Sequence, residues 1–227
     1  MENIINNPDF LLDVKNFFDL SLTFEEIQEI VTEKAKSNPL TIEDEKEGRL
    51  PLDKKLETFI DRIEFIKHLQ ILSDNAENNN FTIDGQEVVG VHWDIDALRI
   101  YLALTCIDIL KENKKNHRDS FIETFKKLSP KLNAEIINNL TIIEQDKRET
   151  KENSSIAEFL YDIRNAYTHA GKRFHSKESL NFTLRQTFIV GKMKDKKMKK
   201  MKIEKGFDLV DFVLKVSIEN AKRVFGF

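Results

Sequence analysis

Three side chains within a short stretch could act together on a phosphodiester: Arg164, Asn165 and His169, inside Ser154–Gly171, which reads SSIAEFLYDIRNAYTHAG. Cleaving RNA without a metal asks three things of a protein. Charge on the scissile phosphate must be neutralised, protons on the 2′-oxygen or the leaving 5′-oxygen must be moved, and both groups must be rigidly placed. Arg164 would supply a planar cation whose fork of donors matches phosphate oxygens. His169 carries the one side chain whose unperturbed pKa lies near neutrality. Asn165 stands four residues before His169, where it would share a helix face and hold the imidazole in one orientation.

A helix must position them. Serines suited to capping open the stretch, Glu158 lies in its early turns, and Gly171 stands where a C-terminal glycine belongs. Ile156, Phe159, Leu160, Ile163, Ala166, Tyr167 and Ala170 recur at three- and four-residue steps, the spacing of one buried face. At about 100° per residue the apolar stripe centres between Leu160 and Ile163. Arg164 and His169 fall on opposite flanks of the other face, about 140° apart, with Asn165 between them. One arginine and one histidine make a thin site, so a two-fold dimer placing a second copy of this face opposite would complete a cleft. Tyr161 and Thr168 share the face and could line that cleft.

Arg164-Asn165-Ala166-Tyr167-Thr168-His169 resembles the RN-x3-H form of the R-x4–6-H motif of the HEPN superfamily. The resemblance covers about Val91 to Phe227. It implies a helical bundle and a metal-independent endoribonuclease, without a cofactor, that leaves 2′,3′-cyclic phosphate ends. It further implies a homodimer whose composite cleft holds two arginines and two histidines, a role as toxin or phage-defence effector, and an antitoxin or regulatory protein as a further partner. Members often set an acidic or polar residue from an earlier helix beside the motif. Asp96 and Asp108 are both eligible, and spacing selects neither. A second match, Arg62 to His68, lacks the asparagine and sets Glu64 where its charge would oppose a phosphate, so it reads as chance.

The second feature is GKMKDKKMKKMKIEKG, Gly191–Gly206, with eight lysines against Asp195 and Glu204, a local charge of +6. Met193, Met198, Met201 and Ile203 would let a hairpin pack one side while Lys192, Lys194, Lys196, Lys197, Lys199, Lys200 and Lys202 meet RNA phosphates. Such contacts give affinity with little choice of sequence. A solvated charged loop is the bland alternative. His92 reads as a packing group at a helix entry and His175 as a loop residue. His68, His92 and His117 show no metal-ligand spacing, and no metal is expected.

The whole chain fits these readings. Its 227 residues are 40% hydrophobic and 33% charged, with seven glycines and four prolines, which favours helices over a many-turned sandwich. The net charge of −3 conceals an uneven distribution: residues 1–95 hold 9 Lys+Arg against 21 Asp+Glu, and residues 96–227 hold 27 against 18. An acidic part joined to a basic part suits a nucleic-acid-facing domain with an acidic appendage. A single cysteine, Cys106, excludes an internal disulfide and sits in the apolar run YLALTCIDIL, where a buried, unreactive thiol is expected. No apolar run reaches a membrane span and no signal peptide opens the chain, so a cytoplasmic protein is expected.

The expected architecture is mostly α. Residues 1–74 form an acidic helical region, 75–92 a loop or short hairpin at Asp84-Gly85, and 93–227 a helical domain with a small lysine-rich β-hairpin before its last helix. EQDKRETKENSS reads as a solvated loop, and Leu140 as the end of a helix beginning near Pro130. A second function class stays open: a catalytically silent helical module that binds RNA, a nucleotide or a protein. A third is an assembly protein whose polar face serves only to dimerise.

Overall fold

The computed structural model describes residues 4–41, 50–78, 81–83, 86–88, 91–110, 117–144, 149–170, 188–192 and 198–227; in places, His169–Ala170 and Phe188–Lys192 among them, it describes backbone alone. The protein is mostly α-helical. Helices α1 (Pro8–Phe18), α2 (Phe24–Ser37) and α3 (Leu52–Asn78) are followed by a hairpin, β1 (Phe81–Ile83) and β2 (Gln86–Val88). Then come α4 (Val91–Ile109), α5 (His117–Lys126), α6 (Pro130–Asn139), β3 (Leu140–Glu144), β4 (Glu149–Thr150), α7 (Asn153–Ala170), β5 (Phe188–Lys192), β6 (Met198–Ile203) and α8 (Leu209–Phe225).

Local chemistry sets these boundaries. Asn7 caps α1 ahead of Pro8, whose missing N–H costs nothing in a first turn. Thr23 and Glu26 form a reciprocal capping box on α2. Ser129 and Asp208 cap α6 and α8, and Gly226 closes α8 at φ 80°, where a side chain would be strained. The expected short hairpin is present as β1 paired with β2, Phe81 opposite Val88 and Ile83 opposite Gln86, while Asp84-Gly85 lie outside the described residues.

One difference concerns the basic half. Leu140 leaves α6 and begins β3, and Glu149–Thr150 of the charged stretch pairs with it, so part of the expected loop is sheet. The result is a four-stranded antiparallel sheet in the order β4-β3-β6-β5. Its register sets Leu140 opposite Ile203 and Ile142 opposite Met201. Those four side chains are buried, and β3 packs on α7. The lysine-rich hairpin exists as expected, joined to the helix of Arg164 through a shared apolar layer.

A single hydrophobic cluster runs from Ile5 and Phe10 to Phe225, and it includes the inner faces of α3 and α4, which have the most extensive helix–helix contact. The acidic helices and the basic remainder therefore share one core. Within it polar contacts join α3 to α4. Arg62 donates to the Thr105 hydroxyl at 2.9 Å, and the Ser73 hydroxyl donates to Asp96 at 2.7 Å. Asp96 also accepts from Arg99 at 3.1 Å, with both side chains under a tenth exposed.

Cys106 is 1% exposed on α4, and burial pushes its thiol pKa up to about 12. The native thiol is therefore a neutral, enclosed group. Ellman's reagent should label it at the rate of protein opening, and at once in urea; immediate labelling of folded protein would contradict this. No helix among the described residues is long and apolar enough to cross a membrane.

Candidate functional site

Helix α7 packs on α4, α5, α6 and β3. Its inner face is the one the periodicity marks: Ile156, Phe159, Leu160 and Ile163 are almost wholly buried. Ala166, Tyr167 and Ala170 have helical backbone, and their side chains lie outside the described residues.

Arg164 departs from a side chain turned outward. Its guanidinium folds against the bundle and is 18% exposed, with Nη2 at 3.0 Å from Oδ2 of Asp108 on α4. Asp108 is 9% exposed, so the pair sits at the rim of the interior. Nη1 of Arg164 donates to Oδ1 of Asn165 at 2.9 Å, and the guanidinium carbon stands 5.7 Å from the centre of the Tyr161 ring. The Arg164 Nε is buried without a hydrogen-bond partner. The physical reason for the inward turn is a carboxylate within reach: a guanidinium mostly covered by protein needs a charged partner, and Asp108 supplies it.

This geometry chooses between the two acids that spacing left equal. Asp96 and Asp108 are twelve residues apart on α4, which at about 100° per residue turns them about 120° from each other. Asp96 faces Ser73 of α3 and holds Arg99, whereas Asp108 faces α7 and holds Arg164. Asn165 gives its amide oxygen to Arg164, and the expected contact with the imidazole falls outside the described residues, as the His169 side chain does. Helical backbone carries His169 five residues beyond Arg164.

Tyr161 is buried beside Arg164. It is 8% exposed, its ring packs 5.5 Å from that of Phe121, and its other role is to back Arg164. A ring face beneath a guanidinium contributes about 0.5–2 kcal/mol and fixes its plane. Thr168 is exposed, and its hydroxyl donates to the Arg164 carbonyl, which ties it to its own helix.

Among the lysines, Lys200 and Lys202 have described side chains, both half-buried on β6. Lys202 contacts Glu204 at 2.6 Å, and that hydrogen bond holds its ammonium above the usual range and the Glu204 carboxyl below it. Lys202 is thus partly neutralised in place. Lys192 and Lys199 are fixed by backbone register, Lys192 opposite Met198 and Lys199 opposite Gly191, while Lys194, Lys196 and Lys197 lie outside the described residues. His92 and His175 also lack a described side chain. Arg62 of the second motif match is bonded to Thr105 inside the bundle, in keeping with a chance match.

Elsewhere, a cleft of about 270 Å³ is lined by Lys34, Lys127, Arg223, Ser120 and Thr124. Its cations stand at helix C-termini, and Arg223 donates to the Lys127 carbonyl and to Glu219, so their charge already offsets exposed carbonyl ends. No family model, curated protein or solved structure matches the chain.

Proposed function

We propose that this chain is a metal-independent endoribonuclease of HEPN type, acting at a composite site formed by two copies and serving as a toxin or phage-defence effector. One observation carries the reading most directly. The guanidinium of Arg164 is held at the rim by Asp108 from an earlier helix, by Asn165 beside it and by the Tyr161 ring below it. A cation fixed on three sides before substrate arrives loses little freedom on meeting a phosphate.

In this reading Arg164 stabilises charge on the scissile phosphate, and Asp108 and Asn165 are positioning residues that set its plane. His169 moves the proton from the 2′-oxygen, or to the leaving 5′-oxygen, so that the attack closes a 2′,3′-cyclic phosphate. A second protomer supplies the opposite wall. The lysine-rich hairpin, tied to α7 through β3, holds the RNA backbone. With about six lysines on single-stranded RNA, log K against log salt should slope at about −4. A flat salt dependence would remove the hairpin from the binding surface.

The competing reading is a silent binding module, favoured by the same ion pair: a charge already neutralised by Asp108 is satisfied without any ligand. Incubating purified protein with single-stranded RNA in EDTA separates the two. Cleavage lost in both Arg164→Ala and His169→Ala, with the fold kept, supports the enzyme. Binding without cleavage by the wild type supports the module.

A further inference from the structure

Helix α3 carries more exposed apolar surface than its place in the bundle explains. Its inner side buries Leu56, Phe59, Ile63 and Ile66. On its outer side Phe65 is 50% exposed, Ile71 59% and Leu72 51%. At about 100° per residue these fall with Glu57, Asp61, Glu64 and His68 in one band about 120° wide, centred opposite the core. Large apolar side chains grouped in solvent mark a surface made for contact.

The band is divided along its length. Residues 57–64 supply Glu57, Asp61 and Glu64, whereas residues 65–72 supply Phe65, His68, Ile71 and Leu72. Helix α1 deepens the acidic end. Asp13, Asn16 and Phe17 of α1 meet Ile60, Asp61, Glu64 and Phe65 of α3 around an open groove of about 620 Å³, which Lys67 and His68 also line. Lys67 lies over the Phe17 ring at 5.7 Å, and Glu57 is paired with Lys54. Among the described residues no salt bridge engages Asp13, Asp61 or Glu64. Burial first, then Glu57, Asp13 and Glu64, hold the Asp61 carboxyl above its usual range. The groove therefore carries more negative charge than its own cations match.

This division selects the occupant. Nucleic acid and an anionic membrane surface bring phosphates, which the carboxylates repel. A second copy of the same face, packed about a two-fold axis, runs antiparallel and lays each acidic end over the other's apolar end. That buries carboxylates against Phe65, Ile71 and Leu72 and offers them His68 alone. A small polycation pairs with the acids and leaves the apolar end bare. A helix lying along α3, with cations toward one end and apolar side chains toward the other, satisfies both ends at ordinary helix-packing distance.

We infer that the outer face of α3, with the α1 groove, docks an amphipathic helix of another protein, whose contacting face carries lysine or arginine at one end and large apolar side chains at the other. The cations enter the groove beside Asp13, Asp61 and Glu64, and the apolar end covers Phe65, Ile71 and Leu72. The surface lies on other helices than that of Arg164, and it stands whether or not the chain cleaves RNA.

A fluorescent synthetic peptide, read by anisotropy against the full chain, tests it. The peptide is an Ala/Gln helix of about four turns, with lysines on one face of its first half and leucines on the same face of its second. It should bind, more weakly but still measurably as salt rises from about 50 mM to about 500 mM. Asp61→Asn with Glu64→Gln should weaken binding at least about tenfold at the lower salt, and Phe65→Ser with Leu72→Ser at both. Thermal melts establish that each variant is folded. Glu123→Gln with Asp211→Asn, which removes as much charge from α5 and α8, should bind like the wild type. A peptide of the same composition with lysines and leucines on opposite faces should bind at least about tenfold more weakly. Four results would each overturn the inference: no binding to the wild type; an equal loss in the Glu123 and Asp211 variant; equally tight binding of a peptide whose leucines are alanines, which marks a simple cation site; or wild-type self-association abolished by Phe65→Ser, which gives the face to a second copy.

Discussion

On the proposed mechanism, His169→Ala should lower the rate of RNA cleavage by about 10²- to 10⁴-fold, the usual cost of removing a general acid or base. The loss falls on the chemical step, so single-turnover cleavage in EDTA shows it while RNA affinity holds within a few-fold. Arg164 needs two substitutions, because its guanidinium is also a structural partner of Asp108. Arg164→Ala removes the cation beside a carboxylate that is 9% exposed and should lower stability as well as rate. Arg164→Lys keeps the charge and loses the fork, so its melting temperature stays closer to wild type while cleavage falls. A wild-type rate in His169→Ala, or in folded Arg164→Lys, would end the nuclease proposal.

Asp96→Ala produces the largest expected loss of stability, about 3–5 kcal/mol. Asp96 and Arg99 are 4% and 8% exposed, so removing the carboxylate leaves a buried guanidinium whose Nε already has no hydrogen-bond partner. It also removes the acceptor of the Ser73 hydroxyl, a link between α3 and α4. The pair as a whole adds little net stability, since desolvation offsets its attraction; breaking half of it is what costs. Urea unfolding should show a lower midpoint at unchanged slope. Asp108→Asn should behave differently, disturbing Arg164 at the rim more than the fold. If both substitutions destabilised equally and neither touched cleavage, the distinction between a core acid and a site acid would fail.

Helices were readable because their apolar residues repeat at three and four and their ends carry capping residues. Thr23, Ser129 and Asp208 are local signals that need no tertiary partner. Strand β3 was hidden for the opposite reason. Leu140 continues the helical spacing of Leu132 and Ile136, while the β-branched run Thr141-Ile142-Ile143 is a strand only because Met201 and Ile203 arrive beside it. Strand β4 rests on two pairings within a charged stretch and has no hydrophobic pattern to read. At the site, the sequence placed Arg164 on a flank correctly and its guanidinium incorrectly. Helical spacing fixes the direction in which a side chain leaves its helix; what it then touches is set by a carboxylate 56 positions earlier in the chain.

The pairing of β3 with β6 also orders events during synthesis. The partners Leu140 and Ile203 bracket the whole of α7. While a ribosome is still making the intervening residues, β3 can hold β4 but lacks its principal neighbour, and the layer beneath α7 is incomplete. Helix α7 packs on α4, α5, α6 and β3, all of which precede it, so a nascent chain can seat Arg164 once α7 itself has emerged. What waits for residues 198–203 is the second half of the sheet: until they emerge, the buried side of β3 lacks Met201 and Ile203 beside it.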